Sequence, residues 1–295
     1  MARAGRAGRL LVVGRNGFLA RHLLKASDEP LSAVGHEAID HPDLLDGVDR
    51  IVSCARHPLL GSEDYRPETM DPDLRLAGRI VGRDIDYIML SSRKVYAPSP
   101  GPLAETDPTG PVDLYGRHKL WVEHELRARL GRRLTILRLA NVFGDERGPS
   151  RRSFFSLMLD RLAHEGRIRF DMSPFVARDF LPVAAFARVL AQIVASPPSG
   201  VLNVGSGIAL PTGRLALWVL EGYGRGELVI ESPEEKDAFV LDVGQLSGRY
   251  GTPCSYDELR TNCLDLGRRL AGPPNAIERL SRGTQAEPLS VQPRK

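Results

Sequence analysis

Cysteine is scarce in this 295-residue chain: Cys54, Cys254 and Cys263 are the only three. The odd number and wide spacing argue against a disulfide framework and match no zinc or redox pattern, so no metal is expected. Long apolar runs are missing too. None approaches the roughly 18 residues of a membrane span, so no membrane partner is expected. The basic stretch Met1 to Arg9 leads into Leu10 to Val13, an apolar run too short for the core of a secretion signal. The expectation is a cytoplasmic protein. Excess charge of one sign is also lacking. Lysine and arginine number 40 against 37 acids, a formal net charge of +3. So small a surplus gives no ground for nucleic-acid binding through charge.

What is present is ordinary globular composition, with 42% hydrophobic and 26% charged residues. Leu10 to Val13 reads as a strand that stops at Gly14, and helical spacing follows at Phe18, Leu19, His22 and Leu23. Further strands are predicted at 31–34, 38–40, 50–55, 87–91 and 134–139, with helices at 73–81 and 113–130. This alternation predicts an α/β fold, a doubly wound parallel sheet covered on both faces. From Gly144 the rhythm changes. Helices are predicted at 153–164 and 183–195, and extended pieces at 167–170, 178–182 and 201–204. The predicted division is a dinucleotide-binding domain over 1–144, then 145–272 combining the last sheet strands with a substrate-binding lobe, then a polar, disordered tail from 273 to 295.

Gly14-Arg15-Asn16-Gly17-Phe18-Leu19-Ala20 follows the first strand directly. Glycine permits a sharp turn and a close pyrophosphate, and the helix N-terminus offers free N–H groups. These residues are candidates for binding a dinucleotide. The second strand ends at Gly35-His36 with no acid for a ribose, which makes His36 a candidate neighbour of the cofactor. Arg15 is either a partner for a 2′-phosphate or a solvated loop charge. The balance favours NADP over NAD. Asp40 is a candidate for the adenine amino group, or the N-cap of the next helix.

Tyr115 and Lys119 lie four apart in a predicted helix capped by Asp113, on one face with Val122, Leu126 and Leu130. A free phenol, with pKa ~10, is a poor base at neutral pH. A neighbouring ammonium favours the phenolate, so Tyr-x-x-x-Lys makes a competent acid/base. Seven tyrosines and five lysines would form about 0.1 such pairs by chance. Arginine outnumbers lysine 35 to 5, which sets this lysine apart from generic surface charge. Ser92, at the end of the strand before, is either a third member, donating to a substrate carbonyl, or a turn cap.

Together these residues resemble the extended short-chain dehydrogenase/reductase superfamily, in its NAD-dependent epimerase/dehydratase branch. The resemblance is collinear over about residues 10–265. It rests on Gly14–Ala20, Ser91-Ser92-Arg93-Lys94-Val95-Tyr96, Tyr115-Gly116-Arg117-His118-Lys119, Leu137 to Gly144, Arg178 to Val183, and Leu202-Asn203-Val204-Gly205. It implies a Rossmann-type sheet with a small C-terminal lobe, and a homodimer. It implies Ser92, Tyr115 and Lys119 as catalytic residues, the latter two also touching the cofactor, with Ala55 and Val142 beside it. Asn141 and Arg178 are implied as contacts of a nucleotide-sugar diphosphate.

The departures matter as well. Arg93 and Lys94 stand where the branch's dehydratases carry Asp-Glu, which disfavours dehydration. The branch's asparagine near residue 70 is missing. The short N-terminal half resembles the nucleotide-sugar 4-ketoreductases. Arg93 is a candidate substrate contact, and Arg152, with Arg147 and Arg151, is a diphosphate candidate or part of a solvated basic loop. The leading expectation is an NAD(P)H-dependent reductase of a nucleotide-activated keto sugar. An epimerase using the same groups, or a non-enzymatic dinucleotide sensor or scaffold, are the alternatives.

Overall fold

The computed structural model describes residues 9–27, 31–146 and 153–272. In chain order the first half holds β1 (Arg9–Val13), α1 (Phe18–Ala26), β2 (Ser32–Val34), β3 (Val48–Ser53), α2 (Pro67–Met70), α3 (Pro72–Ile80), β4 (Asp86–Ser92), α4 (Leu114–Leu130) and β5 (Leu134–Leu139). The second half continues with β6 (Asn141–Phe143), α5 (Phe154–Glu165), β7 (Arg167–Phe170), β8 (Ala177–Pro182), α6 (Val183–Ala195), β9 (Gly200–Val204) and β10 (Ala209–Pro211). It ends with α7 (Thr212–Tyr223), β11 (Glu227–Ile230), α8 (Gly244–Tyr250) and α9 (Tyr256–Ala271).

Six strands form one parallel sheet in the order β2-β1-β3-β4-β5-β9. The expected architecture is present. Successive strand side chains point to opposite faces, and the apolar residues sort accordingly. Leu11, Val13, Ile51, Tyr87, Met89 and Ile136 join one buried cluster with α3 and α4. Val12, Val52, Ile88, Leu90, Leu137 and Leu139 join another with α1, α5 and α6. Each fully buried Leu, Ile or Val contributes about 1.5–3 kcal/mol. Both faces are therefore needed, and this is why the strands are continuous apolar runs. Two smaller sheets, β10-β8-β6 and β11-β7, extend the second half.

The predicted strand at 38–40 is absent. His36–Ala38 forms a single 3-10 turn, closed by the Ala38 amide on Gly35 O and the Ile39 amide on His36 O. Ile39 then drops into the core, fully buried. An apolar residue in a short polar stretch is satisfied by one inward plug, without strand pairing.

Candidate active site

A cavity of about 770 Å³ lies at the carboxyl ends of β1, β3, β4 and β5. An open α/β sheet leaves a crevice where connections depart from a central strand in opposite directions, and here that strand is β1, between β2 and β3. Gly14, Asn16, Gly17, Phe18 and Leu19 line one wall, with His36 and Ala55. Gly14 has φ +93°, and a Cβ there would lie 2.7 Å from the Ala55 nitrogen. Only glycine lets this turn rest on the end of β3. The N-terminus of α1, the positive end of its dipole, borders the space so formed. A dinucleotide pyrophosphate fits such a cradle.

Two candidates from the sequence lie elsewhere. Arg15 is exposed and outside the lining, and its amide donates to Val34 O at 3.0 Å. Asp40 is also outside the lining, with its carboxylate paired to Arg75. Nor does Asp40 cap the turn that follows, because His41 occupies the cap position. Glu37, which the sequence reading passed over, lines the cavity instead. Its carboxylate folds back over Gly35, where a Cβ would meet it at 2.0 Å. Glu37 stands about 20 residues beyond Gly17, the spacing at which NAD-binding turns place a ribose-binding acid. That count was the available signal.

Ser92 closes β4 and lines the cavity. Its Oγ accepts from the Lys94 amide at 3.2 Å, so it also caps the short turn Arg93–Val95. Asp113 caps α4 as expected, Oδ1 accepting from the Gly116 amide at 2.7 Å, while Oδ2 pairs with Lys94. Tyr115 and Lys119 follow one turn apart, and both line the cavity. Lys119 is 5% exposed. Its Nζ donates to Leu90 O at 3.0 Å and lies 3.8 Å from Asp73 Oδ2. Burial pushes its pKa down, but the charges of Asp73, Tyr115, Asp71 and Glu123 outweigh that and hold it above the ordinary lysine value.

A second buried set fixes α4 to the sheet. Arg138 on β5 donates to both Glu123 carboxylate oxygens, at 3.2 and 2.8 Å, and Ser91 donates to the same carboxylate. Glu123 is fully buried and Arg138 nearly so.

The far end of the cavity differs. Asn141, Val142 and Arg93 line it. Arg93 is already engaged: both guanidinium nitrogens bind Asp237, and the group lies 3.8 Å over the Phe239 ring. Arg178 is buried outside the lining, donating to Lys236 O at 2.9 Å and Asp237 O at 3.1 Å. Burial pushes the Asp237 carboxyl up, but Arg93 and Arg178 outweigh it and hold it below its ordinary value. Asp237 has φ +60°, the one non-glycine in the left-handed region among the described residues. Phe154, Phe155 and Phe180 complete the apolar side of the cavity; Phe180 lies within the Arg178–Val183 motif, while no motif signalled Phe154 and Phe155. Arg147, Arg151 and Arg152 lie outside the described residues. Among the described residues no group of His, Cys, Asp or Glu could hold a metal ion, and no helix is long and apolar enough to cross a membrane.

Comparison with known proteins fits this geometry. Residues 61–205 match the model of the NAD dependent epimerase/dehydratase family. A UDP-glucose 4-epimerase of Azospirillum brasilense is 32% identical over 172 residues, 46% of this chain and 49% of that relative. The match thus spans about half the length of the curated relative. Among solved structures, a UDP-N-acetylglucosamine 4-epimerase from Methanobrevibacter ruminantium in complex with UDP-N-acetylmuramic acid superposes with TM-score 0.75 at 20% identity, covering 90% of this chain and 98% of that one. RMD from Pseudomonas aeruginosa complexed with NADPH superposes with TM-score 0.73 at 20% identity, covering 90% and 99%. At such identity the structures establish a shared fold.

Proposed function

We propose that this chain, whose residues 61–205 match the model of the NAD dependent epimerase/dehydratase family, is an NAD(P)-dependent oxidoreductase acting on a nucleotide-activated sugar. The observation that carries this reading is that Ser92, Tyr115 and Lys119 line the same cavity as the glycine turn. Gly14, Asn16, Gly17, Phe18 and Leu19 would hold the dinucleotide, with Ala55 and Val142 beside it and its diphosphate at the first turn of α1. When bound, the dinucleotide supplies or takes the hydride. Tyr115 gives its phenolic proton to the sugar oxygen during reduction, or takes one from a sugar hydroxyl during oxidation. Ser92 donates a hydrogen bond to that same oxygen. Lys119 keeps a positive charge beneath the phenol and next to the ribose. Proton transfer by a placed side chain contributes about 10²–10⁴-fold. Asn141 is the contact for the sugar-nucleotide diphosphate. Arg178 joins it only if the Lys236–Asp237 backbone gives way.

Reduction of a keto sugar is the leading reaction. Elimination of water needs an acid free to protonate a leaving hydroxyl, and the positions after Ser92 are Arg93 and Lys94. Among the described residues the acid paired with Arg93, Asp237, is held ionised by two guanidinium groups. The second reading, epimerisation, is favoured by the 32% identity to a UDP-glucose 4-epimerase. Purified protein mixed with NADH or NADPH and a panel of nucleotide keto sugars separates the two. A reductase consumes absorbance at 340 nm in step with sugar. An epimerase converts sugar nucleotides with no net consumption. No conversion of any nucleotide sugar overturns both.

Glu37 changes the expected cofactor. A carboxylate at the end of β2 binds ribose hydroxyls and repels a 2′-phosphate. NAD therefore replaces NADP as the proposed cofactor, with tighter NADH binding in a fluorescence titration as the check. A homodimer remains the proposed assembly by family resemblance, testable by sedimentation, and the cytoplasm remains the proposed compartment, testable by cell fractionation.

A further inference from the structure

Behind Lys119, on the side away from the cavity, two carboxylates are buried together. Asp71 is 2% exposed and Asp73 is 1% exposed. Isolated buried carboxylates are costly, so each must be compensated. Asp71 is compensated locally. Its Oδ1 caps α3, accepting from the Asp73 amide at 2.9 Å and the Leu74 amide at 3.2 Å, and its Oδ2 accepts from the Tyr65 hydroxyl at 2.5 Å. Asp73 is different. Its Oδ1 accepts from the Tyr87 hydroxyl at 2.8 Å, and its Oδ2 faces the Lys119 ammonium at 3.8 Å. That is a charge contact, too long for a hydrogen bond. Lys119 reaches the cavity and Asp73 does not.

We propose that Asp73 is the positioning residue of the reactive pair: its charge keeps the buried Lys119 ammonium protonated and directed at Tyr115. The inference rests on Tyr115 and Lys119 being that pair. Lys119 is 5% exposed, and burial alone would favour the neutral amine. Only charge beside it reverses that preference, and Asp73 is the largest source, ahead of Tyr115, Asp71 and Glu123. Other groups act on Asp73 itself. Burial and Asp71 raise its carboxyl to about 6, against the opposing pull of Lys119, Ser53 and Tyr87. The remaining neighbours, Tyr65 and Cys54, are both held protonated, with burial as the main cause. At neutral pH the arrangement is therefore an ion pair.

The sign of the stability effect separates this role from a structural one. A carboxyl raised from 3.8 to about 6 in the folded chain costs stability as pH climbs through that interval. Asp73→Asn should then be at least as stable as the parent at pH 7. A residue kept to stabilise the fold would behave the opposite way.

The chain holds only five lysines, so Lys119 can be observed by ¹⁵N NMR of lysine-labelled protein, its signal assigned by loss in Lys119→Met. In Asp73→Asn the Lys119 titration should move down by one pH unit or more, a tenfold change in proton affinity. Asp71→Asn should move it less. The alkaline limb of the pH profile of turnover should fall by the same interval in Asp73→Asn, with melting temperature at pH 7 unchanged or higher. A Lys119 titration unmoved in Asp73→Asn overturns the proposal, whatever the enzyme does. If the titration moves while no nucleotide sugar is turned over by the parent, the functional reading fails and the electrostatic one stands.

Discussion

At the glycine-turn end of the cavity, charge is arranged and waiting: Lys119 is held as an ammonium against Leu90 O and Asp73, and the N-terminus of α1 lines the same cavity. At the other end the chain answers its own charges, with Asp237 bridging Arg93 and the backbone of 236–237 taking up Arg178. The first end is built from adjacent parallel strands and the helices that follow them. The second is closed by a late segment, Glu231 to Val243, crossing from the C-terminal lobe. On the proposed reading, hydride and proton chemistry is set by the sheet, and recognition of the sugar by a segment that must exchange partners.

The largest expected effect tests the first end. Tyr115→Phe should lower kcat by about 10²–10⁴-fold while leaving melting temperature and dinucleotide affinity nearly unchanged. Steady-state kinetics beside a cofactor titration reads both. Next is the frame that carries it. Arg138→Met leaves Glu123 buried without its counter-charge, and urea unfolding should show a loss of about 3–5 kcal/mol. Gly14→Ala should cost about 1–3 kcal/mol from backbone strain. It should also weaken NADH binding more than it lowers stability, because the added Cβ pushes the turn off Ala55.

Smaller effects sharpen the contrast. Glu37→Ala should reduce the preference for NADH over NADPH by about tenfold, roughly 1.4 kcal/mol, as read by paired titrations. At the far end, Asp237→Asn removes the charge that answers the nearly buried Arg93 and Arg178, so urea unfolding at pH 7 should show a loss of about 1–3 kcal/mol. Affinity for a nucleotide sugar with an acidic substituent should rise several-fold, and affinity for a neutral one should not. Equal changes for both would reduce the Arg93–Asp237 pair to a clamp on the late segment.

The same contrast explains what the sequence revealed. Val12, Val52 and Ile88 were legible as strand residues because burial on both sheet faces leaves a continuous apolar run. Tyr115 and Lys119 were legible because helical spacing alone unites them. Arg178 was misplaced because its partners come from Lys236 and Asp237, 58 and 59 residues later, a contact no local pattern encodes. Asp73 went unread because an acid after proline at a helix start looks like a cap, and its meeting with Lys119 needs α3 and α4 packed side by side. Arg15 was given a role at the cofactor's ribose that Glu37 is better placed to fill, since position in the turn after β2, not charge alone, decides what borders the cavity.

The central claim is hydride exchange with a nucleotide sugar under proton control by Tyr115. It is tested most directly by incubating the protein and its Tyr115→Phe variant with NADH deuterated at the nicotinamide C4, alongside a panel of nucleotide keto sugars. Mass spectrometry of the recovered sugar nucleotide is the readout. The account predicts a product heavier by the deuterium with the parent protein and its loss with the variant. Label appearing equally with both proteins, or in no nucleotide sugar at all, would contradict it.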